Sequence, residues 1–155
     1  MYRFSARSSR NLQGVHPDLV RVAHRALALT NIDFGVIEGL RTAARQAQLL
    51  AAGASTVQVS RHQSGHAIDV MAYVGPRGSW ELPLYCEIAL AFKRAALQED
   101  VPVRWGGCWA LLSTLPASAD AIHDRVQKYG ADRRAQGRRA LIDGPHFELP
   151  TSVYG

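Results

Sequence analysis

The chain has 155 residues, 47% of them hydrophobic and 20% charged, which is typical of a soluble globular domain able to bury its own core. The formal net charge of +5 favours polyanionic partners, but no zinc-finger spacing, basic-region heptad or aromatic RNA-binding signature accompanies it, so specific nucleic-acid binding is not predicted. No apolar run approaches the roughly 18 residues of a membrane span. The first residues also lack the apolar segment of a secretory signal, which predicts a protein kept in the cytoplasm.

In the first third of the chain, the sequence predicts one irregular segment, two helices and one strand. Residues 1–14 are polar and arginine-rich and are expected to be irregular. Pro17 suits the first turn of a helix, and apolar residues recur at helical spacing from there to Leu29. Residues 34–40 have the composition of a strand. Thr42 is the predicted N-cap of the alanine-rich helix that follows.

The middle of the chain predicts a strand between two loops. Residues 54–61 are expected to form a loop, and residues 75–80 form another because they are rich in glycine and proline. Between them, residues 67–73 alternate as a strand. On that strand Asp69 can face a groove while its neighbour Val70 faces the core.

The second half predicts a long buried helix, a short strand, a second helix and a final strand. The corresponding ranges are 82–100, 101–105, 118–129 and 147–149. Together the elements predict a single α+β domain over residues 1–155. Its small, mostly antiparallel sheet would be flanked by helices from 17 to 29, 42 to 52 and 83 to 100.

Two short blocks concentrate residues that bind metal ions and move protons. His62 and Asp69 lie in the first block, and Asp143 and His146 lie in the second. A hydrolytic zinc site needs three protein ligands and one open position, whereas a structural site closes all four, usually with cysteines. The chain has only two cysteines, far apart, which excludes a closed cysteine-rich site. His62, Asp69 and His146 supply the three ligands, and Asp143 is left as a carboxylate able to take a proton from an activated water.

The same blocks resemble a known family of zinc peptidases. The pattern Ser-x-His-x-x-Gly-x-Ala-x-Asp occupies residues 60–69, and Pro-His-Phe-Glu occupies residues 145–148. Residues 39–46 carry an arginine-bearing block, and residues 105–109 read Trp-Gly-Gly-Cys-Trp. In this order the four blocks resemble the D-Ala-D-Ala carboxypeptidase and L-alanyl-D-glutamate endopeptidase family, which includes many phage endolysins. The resemblance implies a hedgehog/DD-peptidase-like fold.

The resemblance also implies roles for individual residues. It makes His62, Asp69 and His146 the zinc ligands, Asp143 the general base, and Arg41 a contact of the substrate or of the developing oxyanion. The candidate substrate contacts are Ser60, His66, Trp105 and Trp109. For His66 the alternative is a polar residue at the rim of the pocket, and for the two tryptophans it is a place in the core.

Three features depart from the family pattern. Cys108 stands where relatives commonly have aspartate, and Asp143 stands where many have glutamate. The segment over residues 110–142 is longer than the usual link between the last two blocks, which predicts an accessory element over the groove.

The predicted function is that of a zinc-dependent endopeptidase cutting the stem peptide of peptidoglycan, at the L-Ala to D-Glu bond, as a monomeric endolysin. A phage lysin of this kind would leave the host cytoplasm with the help of a holin and act in the periplasm. The alternatives are a D-Ala-D-Ala carboxypeptidase or dipeptidase, and a non-catalytic peptidoglycan-binding protein. A run of arginines is interpreted as a solvated face or as a contact with anionic envelope phosphates; its members are Arg133, Arg134, Arg138 and Arg139.

Overall fold

A computed structural model describes residues 1–55 and 60–155, and within them an antiparallel sheet is flanked by helices. The helices are α1 (Ala6–Asn11), α2 (Pro17–Leu29), α3 (Ala43–Ala51), α4 (Leu82–Glu99), α5 (Ala119–Ala135) and α6 (Thr151–Tyr154). The strands are β1 (Asp33–Glu38), β2 (Ala67–Val74), β3 (Arg77–Ser79), β4 (Arg104–Trp105), β5 (Ala110–Leu111) and β6 (His146–Glu148). The strand order is β1-β2-β6-β4-β5, with β3 paired to β2, and every pairing is antiparallel. The predicted α+β class is confirmed.

The prediction of an irregular N-terminus was wrong. The side chain of Ser5 accepts a hydrogen bond from Ser8 N and caps α1. The helix is held on β1, where Val36 N donates to Ser8 Oγ at 3.0 Å and Asn11 Nδ2 donates to Val36 O at 2.8 Å. A helix this short is not stable alone, so its formation depends on contacts with β1 that local sequence does not reveal.

Several other element boundaries differ from those predicted; for example, the strand predicted over residues 101–105 is only Arg104–Trp105. The segment over residues 75–80 is not only a loop, because its second half is strand β3, whose Arg77 pairs with Val74 of β2 across a tight turn at Gly75. Helix α5 runs to Ala135, six residues beyond the predicted end at Tyr129. Part of the loop predicted over residues 54–61 lies outside the described residues. Within the described part of the chain, no helix combines the length and hydrophobicity required to cross a bilayer.

The core lies on one face of the sheet, against α2 and α4. Phe92 of α4 stacks on Phe147 of β6 with ring centroids 3.9 Å apart, and both side chains are fully buried. Loss of a buried phenylalanine of this kind costs about 3–5 kcal/mol of folding free energy. Since Phe147 lies between His146 and Glu148 on a strand, this packing also holds those two side chains on the opposite face.

Gly39, directly after β1, has no room for a side chain. A Cβ atom at this position would collide with Asn11 O and approach Val15 Cγ2 to 2.9 Å. We therefore expect Gly39→Ala to lower the free energy of unfolding by about 1–3 kcal/mol, because the backbone of α1 must move. Chemical denaturation measures this change. Gly78→Ala is the matched control, since its Cβ would meet only the flexible Met71 side chain; equal losses in both variants would contradict the argument.

Candidate metal centre

Three potential ligands converge at one end of the sheet. His62 lies in a 3-10 turn (Arg61–Ser64), Asp69 lies on β2, and His146 lies on β6. One ligand atom from each residue lies within 4.8 Å of the other two. The register of β2 and β6 places Asp69 directly opposite His146, so strand pairing brings these two of the three residues together.

The imidazole of His62 is oriented with a free lone pair towards this cluster. The side chain is 2% exposed, and its Nδ1 lies 2.9 Å from the carbonyl oxygen of Gly39. A carbonyl only accepts, so Nδ1 carries a proton, and in the tautomer able to bind a metal the lone pair is on Nε2. Nε2 has no hydrogen-bond partner among the described residues, although Asp69 Oδ1 lies 3.3 Å away. A buried acceptor facing a carboxylate fits a cation between them.

The imidazole of His146 directs its Nδ1 towards Asp69 Oδ1, the same atom that His62 Nε2 faces. Its Nε2 donates to Glu148 Oε1 at 2.7 Å, while its Nδ1 lies 3.2 Å from Asp69 Oδ1. Burial alone would lower the pKa of His146, but the carboxylates of Asp69 and Glu148 outweigh it and raise that pKa to about 9. Burial would likewise raise the pKa of Asp69, yet the two histidines hold it well below its usual range. Without metal, a proton therefore lies between His146 and Asp69 at neutral pH.

Metal binding should consequently depend on pH. A ligand nitrogen must lose its proton to bind metal, so affinity is expected to rise about tenfold per pH unit up to a pH of about 9, the pKa of His146 without metal. Competition with a chromogenic chelator at several pH values measures this. In Glu148→Gln one of the carboxylates that raise this pKa is absent, so the plateau should be reached at lower pH. An affinity that does not change between pH 6 and pH 9 would contradict the predicted proton displacement.

Asp143 lies beside the three potential ligands and lines the same groove. Its backbone N–H donates to Gly106 O at 2.9 Å, and its carbonyl accepts from His146 N at 3.1 Å. A Cβ at Gly106 would collide with Asp143 O, so the glycine permits this close approach. Burial raises the pKa of the Asp143 carboxyl, and the charge of Asp69 raises it further. A carboxylate with a raised pKa is a stronger proton acceptor, as general-base chemistry requires.

The guanidinium of Arg41 is buried at the floor of the groove and is already engaged. Its Nε and Nη2 donate to the two carboxylate oxygens of Glu38, each at 2.7 Å. Its Nη1 donates to Gln46 Oε1 at 2.7 Å, and its Nη2 lies 3.7 Å from Asp69 Oδ2. The predicted contact of Arg41 with substrate stays a prediction, and it requires the substrate to compete with Glu38 and Gln46.

The structure brings two of the four candidate substrate contacts to the groove. Ser60 lines it and caps the turn that carries His62, accepting from His62 N at 3.2 Å. Trp109 also lines it, with its ring centroid 5.4 Å from that of His146. Trp109 has a left-handed backbone, with φ +52°, and its Nε1 donates to Leu141 O at 2.8 Å. A non-glycine residue in this conformation is uncommon, and such residues concentrate at functional sites.

The other two candidates lie away from the groove. Trp105 is fully buried, and its Nε1 donates to Gly144 O at 2.7 Å, which makes it part of the core that supports the loop before His146. His66 accepts or donates at Ser64 Oγ and packs against His16, with ring centroids 5.7 Å apart. The core alternative therefore describes the position of Trp105, whereas the substrate contact of His66 stays a prediction.

Several groove residues were not predicted to line the site. The groove has a volume of about 540 Å³, and its walls include Leu49, Trp80, Arg139 and Leu141. Trp80 is 60% exposed and stacks on Tyr85. Arg139 and Leu141 belong to the long segment over residues 110–142, whose status as an accessory element stays a prediction. In the sequence, the feature that could have indicated a binding surface is Trp80 at the end of a glycine-rich segment.

Cys108, at the position where the resemblance leads one to expect an aspartate, is a buried, uncharged group. It is a free cysteine, as is Cys86, and burial raises the pKa of both thiols. The nearby turn is instead organised by Arg104, whose Nε donates to Trp109 O at 3.3 Å and whose Nη1 lies 3.6 Å from Glu148 Oε2. Position 108 thus contributes no carboxylate to this turn.

Comparison with known proteins agrees with this geometry. Residues 1–150 match the family described as phage L-alanyl-D-glutamate peptidase. The chain is 32% identical over 152 residues to the L-alanyl-D-glutamate peptidase of Escherichia phage T5, covering 96% of this chain and 98% of that protein. The crystal structure of Serratia marcescens L-Ala D-Glu endopeptidase ChiX is similar with a TM-score of 0.75 and 40% identity, covering 99% of this chain and 93% of ChiX. The family resemblance predicted from four short blocks is confirmed, and the chain belongs to the phage L-alanyl-D-glutamate peptidase family.

Proposed function

We propose that this peptidoglycan endopeptidase uses zinc and cuts the stem peptide between L-Ala and D-Glu. The observation that carries the metal assignment is the pair of ring nitrogens, His62 Nε2 and His146 Nδ1, that both face Asp69 Oδ1 at 3.3 and 3.2 Å. The bond assignment rests on the names of the related T5 and ChiX peptidases.

Zinc fits the donor set better than other common divalent ions. Two imidazoles and one carboxylate form the mixed N/O set of hydrolytic zinc sites, whereas magnesium and calcium prefer sets made of oxygen alone. The ligand cluster opens on the groove, so a fourth position remains for water or substrate. A zinc ion held there would polarise the scissile carbonyl and make a water ligand easier to deprotonate.

The residues of the chain supply the proton transfers and the alignment. Asp143, on the groove wall, takes a proton from the attacking water and delivers it to the leaving amine of D-Glu. Glu148 fixes the ring of His146 through the 2.7 Å hydrogen bond to its Nε2, and the carbonyl of Gly39 does the same for His62 at 2.9 Å. Replacing a group that hydrogen-bonds to a metal ligand in this way commonly lowers metal affinity or activity by about 10- to 100-fold.

A D-Ala-D-Ala carboxypeptidase is the alternative within the same chemistry. It would require a cation in the groove for the terminal carboxylate of its substrate. Arg41 is paired with Glu38, which leaves Arg139 as the other cation among the described groove residues. The family match favours the endopeptidase, and the products of digestion separate the two activities.

Mass spectrometry of purified peptidoglycan digested by the zinc-loaded protein tests the proposal. We expect new amino termini at D-Glu that are absent when the metal is chelated and when Asp143 is replaced by alanine. Release of terminal D-Ala alone would assign a carboxypeptidase instead. A zinc-bound, folded protein that yields no new termini from this substrate would contradict the enzymatic assignment.

A further inference from the structure

We propose that Arg139 determines substrate specificity by pairing with the free α-carboxylate of the D-Glu residue at the scissile bond. This inference rests on the proposed cleavage between L-Ala and D-Glu. Arg139 lines the groove together with Asp143 and His146, although it lies outside the four blocks that carry the family pattern.

The backbone around Arg139 is held in place from both sides. After the end of α5, Arg138 N donates to Arg133 O at 2.8 Å, and the carbonyl of Arg139 accepts from Arg133 Nε at 3.2 Å. Two residues further on, the carbonyl of Leu141 accepts from Trp109 Nε1 at 2.8 Å. The arginine is therefore presented by a fixed turn at the groove wall, although its side chain is exposed to solvent.

The charges of the groove leave Arg139 without a counterion. Arg41 is neutralised by its paired contact with Glu38, whose Oε1 lies 2.7 Å from Arg41 Nε. A bound divalent cation offsets the two carboxylates of Asp69 and Asp143. Within residues 1–55 and 60–155, no ion pair involves Arg139. With the metal bound, the uncompensated charge of the groove is thus the guanidinium of Arg139.

The chemistry of the substrate requires such a cation. D-Glu in the stem peptide continues the chain through its γ-carboxyl group, so its α-carboxylate stays free on the carbon next to the scissile nitrogen. Cleavage requires this anion to bind in the groove, where Arg41 is already paired with Glu38 and Arg139 is not part of an ion pair among the described residues. A guanidinium fork can bind a carboxylate through two parallel hydrogen bonds, which favours the charged substrate over one whose α-carboxylate is an amide.

Two synthetic N-acylated stem peptides test this inference, one with D-Glu and one with D-isoglutamine, whose α-carboxylate is an amide. The zinc-loaded wild type should prefer the D-Glu peptide by about tenfold in kcat/KM, the difference expected for one charge-assisted contact in a solvent-exposed groove. Arg139→Gln should lose this preference through a fall on the D-Glu peptide alone, and Arg139→Lys should keep part of it. The matched control is Arg138→Gln, a neighbouring exposed arginine outside the groove lining, which should keep the whole preference. Equal losses on both peptides, or a preference that survives Arg139→Gln, would overturn the inference.

Binding separates failure of this inference from failure of the proposed function. Both peptides are titrated by calorimetry into Asp143→Ala and into the double variant Asp143→Ala, Arg139→Gln. If the wild type cleaves neither peptide, the bond assignment fails, while the binding preference still decides the role of Arg139. A preference for the D-Glu peptide that depends on Arg139 supports the inference, and equal binding of both peptides contradicts it.

Discussion

Replacing Asp143 by alanine is expected to lower kcat by about 10²- to 10⁴-fold, the range for removal of a general base. The side chain is the one carboxylate of the groove that is neither one of the three clustered ligands nor paired with Arg41, within the described residues. Metal content should stay near one ion per chain because all three ligands remain. Steady-state hydrolysis and metal analysis of the same preparation measure both quantities.

The control for Asp143→Ala is Asp124→Ala, which removes an exposed carboxylate on α5. It should leave kcat unchanged. If Asp143→Ala retained wild-type turnover with a full complement of metal, another group would have to accept the proton. If it lost its metal, Asp143 would act at the metal itself and not as a base.

Replacing His146 by alanine is expected to reduce metal affinity by more than 100-fold. Loss of a residue that only hydrogen-bonds to a metal ligand, as Glu148 does to His146, commonly costs about 10- to 100-fold, and His146→Ala removes the ligand itself. The variant removes a ligand nitrogen and also leaves the buried carboxylates of Asp69 and Glu148 without their shared partner. Hydrolysis should fall with metal occupancy. Competition with a chelator gives the affinity, and circular dichroism verifies that the variant is folded.

His62→Ala tests a second proposed ligand by the same affinity measurement. The ring of His62 is held by the backbone carbonyl of Gly39 and not by a carboxylate. His123→Ala is the control, because this histidine lies on α5, outside the groove lining. It should bind metal like the wild type. Retention of wild-type affinity by both His146→Ala and His62→Ala would show that the metal binds elsewhere.

Much of the site could be predicted because its chemistry is concentrated in short stretches of sequence. The ligand types and their spacing around Gly65, with φ +74°, identify a tight turn followed by a strand. The starts of α2 and α3 were predicted for a similar reason. Pro17 fixes the backbone of the first turn of α2, and the side chain of Thr42 accepts a hydrogen bond from Arg45 N in the first turn of α3. Signals of this kind do not depend on what the element packs against.

The features that sequence missed depend on contacts between distant segments. Helix α1 forms because β1 is present, and β3 forms because β2 offers it an edge. Trp105 and Trp109 are the same residue type four positions apart, yet one supports the core and the other lines the groove. The difference arises at the backbone of Trp109, whose φ of +52° turns the chain. Arg139 and Leu141 reach the groove only through the path of the chain after α5.

The central position of β6 has a consequence for synthesis. This strand is formed by residues 146–148, yet it lies between β2 and β4 in the middle of the sheet. Until these residues have left the ribosome, β2 is unpaired on the edge that faces β6, Asp69 has only one of its two histidines, and the two halves of the sheet are not joined. Pairing across such a long stretch of chain is also slow to form. A nascent or truncated chain ending before residue 146 lacks one of the three proposed ligands and the strand that joins the two halves of the sheet, so we expect hydrolysis only from the finished chain.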